Sequence, residues 1–241
     1  MTVGTSRLVA CLGDSITQGQ VSANYVKLLE RRWESNGVRF VNAGVNGDLA
    51  YNVAQRLDAV IAQRPDVVTL LVGTNDVNSQ FDDSWRDRYR KDQKLPVDPT
   101  QNWYAEQVDQ ILRRLGSETD ARVAVLTIAP LGEDLDSRMN RLVDEYNTSL
   151  VDLATTHGAT VLPLHDVLIK LLPRDHTPPP YEGNIRKIMS AAAQHMILRR
   201  SWNSVSRRNG LSLLTDHIHL NDTAANAVAE LINTFLQENL T

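Results

Sequence analysis

The stretch "RLVACLGDSIT", residues 7–17, decides the reading of the fold. Its first six residues form a short apolar run suited to a buried strand, and Gly13, Asp14 and Ser15 are turn-forming residues ahead of a helical start. A strand that turns directly into a helix opens a βα unit, and the same pattern recurs along the chain. Comparable runs are "VRFVNA" (38–43), "DVVTLLV" (66–72), "RVAVLTI" (122–128) and "ATVLPL" (159–164). Between them, apolar residues recur at helical spacing: Tyr25, Leu29 and Trp33; Val53, Leu57, Val60 and Ile61; Tyr104, Val108, Ile111 and Leu115; Met139, Leu142, Tyr146, Leu150 and Leu153. A last helix through Ala224, Val228, Leu231 and Phe235 is expected after an N-cap at Asn221 or Asp222. Strands alternating with helices of one apolar face predict an α/β fold with a five-stranded parallel sheet covered on both faces.

The 241 residues, 42% of them hydrophobic, suffice for one sizeable core, so a single domain spanning 1–241 is expected. With 25 basic and 29 acidic side chains the formal charge is −4, which supplies no basic field for a polyanion and argues against nucleic acid as a partner. No apolar run approaches the roughly 18 residues of a membrane span. The lone Cys11 has no partner for an internal disulfide, and the first strand leaves no room for a signal peptide; a cytoplasmic protein is the expectation.

Two segments break the rhythm. Residues 78–101 mix both charge signs around Phe81, Trp85 and Tyr89, and read as a solvated connection or as a loop facing the substrate. Residues 165–214 are too long for a plain connection. Ile185, Ile188, Met189, Ala192 and Met196 predict an extra helix there, which would line an acyl pocket, pack on the core or serve a homo-oligomer contact.

Ser15 falls where the first strand ends, at the carboxyl edge of the sheet, where open α/β folds collect ligands. Helix capping explains a serine at such a turn equally well, and a nucleophile needs a base. "LTDHIHLN", residues 214–221, offers one. Asp216 and His219, three apart in a turn of helical pitch, can share a face, so the carboxylate can hold one imidazole nitrogen while the other takes the serine proton. His217 then points elsewhere, as a partly exposed loop histidine. Acyl transfer further requires donors for an oxyanion. "VNAGVNGD" (41–48) and "VGTNDVN" (72–78) follow the second and third strands and supply glycine amides and the Asn75 side chain.

In this order and spacing, "GDSIT", "NAGVNGD", "GTND" and "DHIH" resemble the SGNH hydrolases, the GDSL esterase and lipase family, over residues 8 to about 236. The resemblance implies a flavodoxin-like three-layer α/β/α sandwich, with 165–214 as a helical insertion before the last block. It implies a carboxylic ester hydrolase with Ser15 as nucleophile, His219 as base, Asp216 as its orienter, and Ser15, Gly47 and Asn75 as the oxyanion hole. Gly47 is chosen over Gly44 because it directly precedes the acidic residue; Gly44 is then relief for the tight turn leaving the second strand, and Asp14 holds the nucleophile turn through backbone hydrogen bonds. No metal or other cofactor is expected. The implied substrate is a small-molecule ester, with short acyl groups such as acetyl favoured; lysophospholipase-like or acyltransferase chemistry would use the same triad. A metallohydrolase built on His-x-His with Asp14 and Asp76, or a binding module without catalysis, are the remote alternatives.

Overall fold

The computed structural model describes residues 7–175 and 177–240. Five strands, β1 (Arg7–Gly13), β2 (Val38–Gly44), β3 (Val67–Leu71), β4 (Arg122–Leu126) and β5 (Thr160–Leu162), form one sheet in the order β2-β1-β3-β4-β5. All four pairings are parallel. Gly13 lies opposite Gly44 on one side and Leu71 on the other, so β1, β2 and β3 end level at their carboxyl edge. This order places the reversal of winding between β1 and β3, the position where ligands bind in such sheets. Strand β5 ends at Leu162, short of the expected run, because Pro163 has no N–H to continue the ladder.

The period-two alternation of β1 feeds two cores. Val9 and Cys11 pack on one face with α2 (Tyr25–Trp33), α9 (Leu164–Leu171) and α12 (Asp222–Leu240). Ala10 and Leu12 pack on the other with α3 (Ala50–Gln55), α4 (Leu57–Ile61), α7 (Gln101–Glu118) and α8 (Arg138–Thr156). Leu12, Leu70 and Val67 are wholly buried, and each such side chain contributes about 1.5–3 kcal/mol of transfer free energy. Asn221, rather than Asp222, caps α12, its Oδ1 accepting from the Ala224 N–H at 3.0 Å. The helix expected over 53–61 is split at Arg56, which leaves helical geometry (φ −108°, ψ 12°) between α3 and α4.

Neither interruption is a bare loop. Segment 78–101 contains α6 (Asp83–Asp92), started by Asp82, whose carboxylate accepts from the Trp85 N–H at 2.9 Å. Trp85 and Tyr89 are buried with Leu49 and Leu95 in a third, smaller core, against which Ile185 and Ile188 pack. Segment 165–214 carries most of α9, then α10 (Ile185–Met196) and α11 (Trp202–Arg208). Met189, Met196, Ile197 and Leu198 stand exposed on α10 and just beyond it. Among the described residues no helix is long and apolar enough to cross a membrane.

Candidate active site

Ser15 opens α1 (Ser15–Gln18), a single turn after β1. The cap of that turn is Asp14: its Oδ1 accepts from the Ile16 N–H at 2.9 Å, leaving the Ser15 hydroxyl uncommitted to capping. The hydroxyl instead meets His219 Nε2 at 2.9 Å, across 204 residues of sequence. On the other side of the ring, Nδ1 lies 2.8 Å from Asp216 Oδ2. All three residues are buried, with the Asp216 side chain wholly inaccessible.

The segment holding Asp216 and His219 is not the helical turn expected from the sequence. It is a tight loop closed by an antiparallel bridge between Leu214 and Leu220, with the Thr215 N–H donating to the His219 carbonyl at 2.7 Å. Asp216 Oδ1 accepts from the backbone N–H groups of Ile218 and His219, so one carboxylate both builds the loop and orients the imidazole. His217 takes a left-handed conformation (φ +76°) to make the bend. The expectation of a partly exposed histidine is wrong for it: His217 is 2% exposed, because the left-handed backbone turns its ring inward against Tyr181. Glu133 anchors the approach to the loop, its carboxylate accepting from the N–H groups of Ser212, Leu213 and Leu214.

The electrostatics suit a base. Burial lowers the His219 pKa, but the Asp216 charge and hydrogen bond outweigh it, so the imidazole titrates above its ordinary value of 6.5. For Asp216, burial acts upward and is overcome by His219 and the two backbone donors, which hold the carboxyl below the usual range. Burial pushes the Asp14 carboxyl up to about 7, against the Ile16 N–H and the field of His219; its Oδ2 has no hydrogen-bond partner. Asp76 is pushed up to about 8, burial outweighing the N–H of Ala50.

Gly47 and Asn75 line the same cleft of about 290 Å³ as Ser15 and His219. Gly47 needs its φ of +80°, and a Cβ there would lie 2.5 Å from Gln93 Nε2. Gly44 is not the turn residue expected. It ends β2 and is required by close approach, since a Cβ would sit 2.3 Å from the Gln18 backbone nitrogen. Asn75 belongs to α5 (Thr74–Asn78), directly after β3. One hydrogen of its Nδ2 goes to the Asp48 carbonyl at 2.9 Å, and its Oδ1 accepts from the Tyr89 hydroxyl at 2.7 Å. The tyrosine fixes which way the amide points, and its hydroxyl in turn accepts from Asn78, to which Tyr181 donates.

Arg56 had no motif to announce it, whereas the α6 and α10 residues at the cleft lie in the two interrupting segments. Arg56 reaches from the helix break to Asp48 Oδ2 (2.7 Å), the Ala43 carbonyl (2.9 Å) and the Gly13 carbonyl (2.8 Å), tying the ends of β1 and β2 to the Gly47 loop. Tyr89 and Trp85 line the cleft from α6, and Ile185 and Ile188 line it from α10. Among the described residues no group of three or more histidine, cysteine or carboxylate side chains is placed to share a metal ion.

A serine, imidazole and carboxylate in line at the carboxyl edge of a doubly wound parallel sheet define a serine hydrolase. The chain belongs to the GDSL-like Lipase/Acylhydrolase family, whose pattern matches residues 11–227. It is thus an SGNH-type serine esterase, acting on ester bonds. Over 227 residues it is 26% identical to an acetylxylan esterase of Geobacillus stearothermophilus, the alignment covering 84% of this chain and 94% of that one. A crystal structure of an acetylxylan esterase from the same organism superposes with a TM-score of 0.66 at 18% identity, over 99% of this chain and 96% of the other. A second, the acetyl xylan esterase AlAXEase, gives 0.65 at 19% identity, over 95% and 99%. Both likenesses are of fold, the α/β architecture with its five-stranded parallel sheet in this chain superposing over nearly the whole length of each.

Proposed function

We infer that this esterase removes small acyl groups, acetyl foremost, through a Ser15 acyl-enzyme. The observation that carries the reading is the continuous relay from Asp216 through His219 to Ser15, opening on a cleft that Gly47 and Asn75 also line. His219 Nε2 takes the Ser15 proton as Oγ bonds to the ester carbonyl carbon. The carbonyl oxygen gains charge, and the N–H groups of Ser15 and Gly47 with the remaining Asn75 amide hydrogen receive it. Collapse breaks the carbon–oxygen bond to the alcohol, which leaves with the proton from His219. Water then repeats the sequence and frees the acid.

The preference for small acyl groups is supported by the cleft's modest volume of about 290 Å³ and by its walls, where Trp85, Ile185, Ile188 and Ile218 crowd the space beside the serine. The relatives' activity on acetylated xylan points the same way. A series of nitrophenyl esters assayed beside acetylated xylooligosaccharides tests this. Activity is expected to peak at acetyl and fall as each added methylene is excluded, whereas a maximum beyond about eight carbons would overturn the assignment.

The oxyanion assignment has its own test. Asn75→Ala is expected to lower kcat about a hundredfold to a thousandfold with little change in KM, since the lost donor acts on charge that exists only in the transition state. A proportionate rise in KM with intact kcat would assign Asn75 to ground-state binding instead.

A further inference from the structure

The 216–219 loop has two sides. Ile218 and His219 face the catalytic cleft, while Asp216 and His217 line a second cavity of about 300 Å³ behind it. Arg186, Lys187 and Arg208 stand around this second cavity. The Asp216 carboxylate also borders the cavity and opposes an anion there, but its oxygens are turned to Ile218 and His219, and three cationic side chains line the same space against its one charge. Lys187 has Glu182 at 3.2 Å, but Arg186 and Arg208 have no carboxylate partner among the described residues. Two exposed arginines without a carboxylate partner, lining one concave space, are suited to bidentate recognition of an oxyanion.

His217 supplies a second, independent sign. It is 98% removed from solvent by its 2% exposure, and its Nδ1 is buried with no hydrogen-bond partner. Burial first, and the charge of Lys187 second, keep this ring from protonating at its ordinary pKa. With Nδ1 left unprotonated, the neutral ring would present its N–H at Nε2 to an anion in the cavity.

We propose that this cavity is a binding site for a compact oxyanion, held by Arg186, Arg208 and His217. Arg186 lies on α10 and Arg208 on α11, so a bound anion would clamp these two helices together. The opposite side of α10 carries Ile185 and Ile188 into the cleft, which makes the site an effector position for the cleft wall.

Calorimetric titration of the whole protein with sodium sulfate and inorganic phosphate, at ionic strength held constant with sodium chloride, tests the proposal without reference to ester turnover. One saturable site is expected in the native protein. The double variant Arg186→Ala/Arg208→Ala and the single variant His217→Asn, which keeps a residue tolerant of left-handed backbone, are each expected to weaken binding about tenfold or more. Glucose 6-phosphate titrated in parallel separates an ion carried on an organic ligand, which would bind more tightly than phosphate, from the free ion, which would bind equally. Heats no larger than dilution in the native protein, or an unchanged dissociation constant in the double variant, would overturn it.

Discussion

Ser15→Ala is expected to lower kcat on an acetyl ester by about 10⁴-fold or more, because the only atom lost is the one proposed to attack the carbonyl. The melting temperature should stay close to that of the parent. The hydroxyl makes one hydrogen bond, to His219, and the α1 turn is capped by Asp14, so the substitution removes neither a cap nor core packing. Initial rates measured beside thermal melts separate the two effects. A folded variant that retains full turnover would remove Ser15 from the mechanism and leave the relay without a task.

Asp216→Asn should cost about 10³- to 10⁴-fold in kcat while leaving the backbone loop largely formed, since an amide oxygen can still accept from the N–H groups of Ile218 and His219. What it loses is the acceptor for Nδ1–H. The pH profile carries a sharper signature. In the parent, His219 must be neutral to accept the serine proton, and its pKa lies above 6.5, so kcat/KM should fall as pH drops through a value above 6.5. Burial lowers the pKa of this histidine, and Asp216 provides the largest opposing influence. With asparagine at 216 that opposition is gone, and the acidic limb should move to lower pH. An unchanged limb would show that Asp216 does not set the histidine's proton affinity.

The parts legible before folding were those with local or periodic signatures. The strand runs were visible because buried parallel strands are near-continuous apolar stretches, and the helices because one apolar face recurs every three to four residues. The family resemblance singled out Gly47 by its place before Asp48, and Gly47 takes a left-handed φ of +80°. What the sequence did not show concerned side chains whose surroundings arise only in the folded chain. Arg56 breaks a regular helical pattern for partners at Gly13, Ala43 and Asp48, and nothing in its own neighbours reports them. Within the charged stretch 78–101, Trp85 and Tyr89 are buried with Leu49 and Leu95, and Ile185 and Ile188 of α10 arrive from about a hundred residues further on to pack against them. A turn of helical pitch would leave His217 partly exposed, and the left-handed bend at this residue (φ +76°) turns it inward instead.

From sequence alone came the α/β alternation, the order of the blocks and the chemical types held at the end of each strand, because these depend on periodicity and on residues adjacent in the chain. Tertiary structure decided the rest. It brought Ser15 within 2.9 Å of His219, oriented the Asn75 amide through Tyr89, and formed the cleft between α6 and α10. Hydrogen bonds and desolvation act over a few ångströms in space, and contacts between groups as many as 204 residues apart exist only once the sheet has aligned its strand ends.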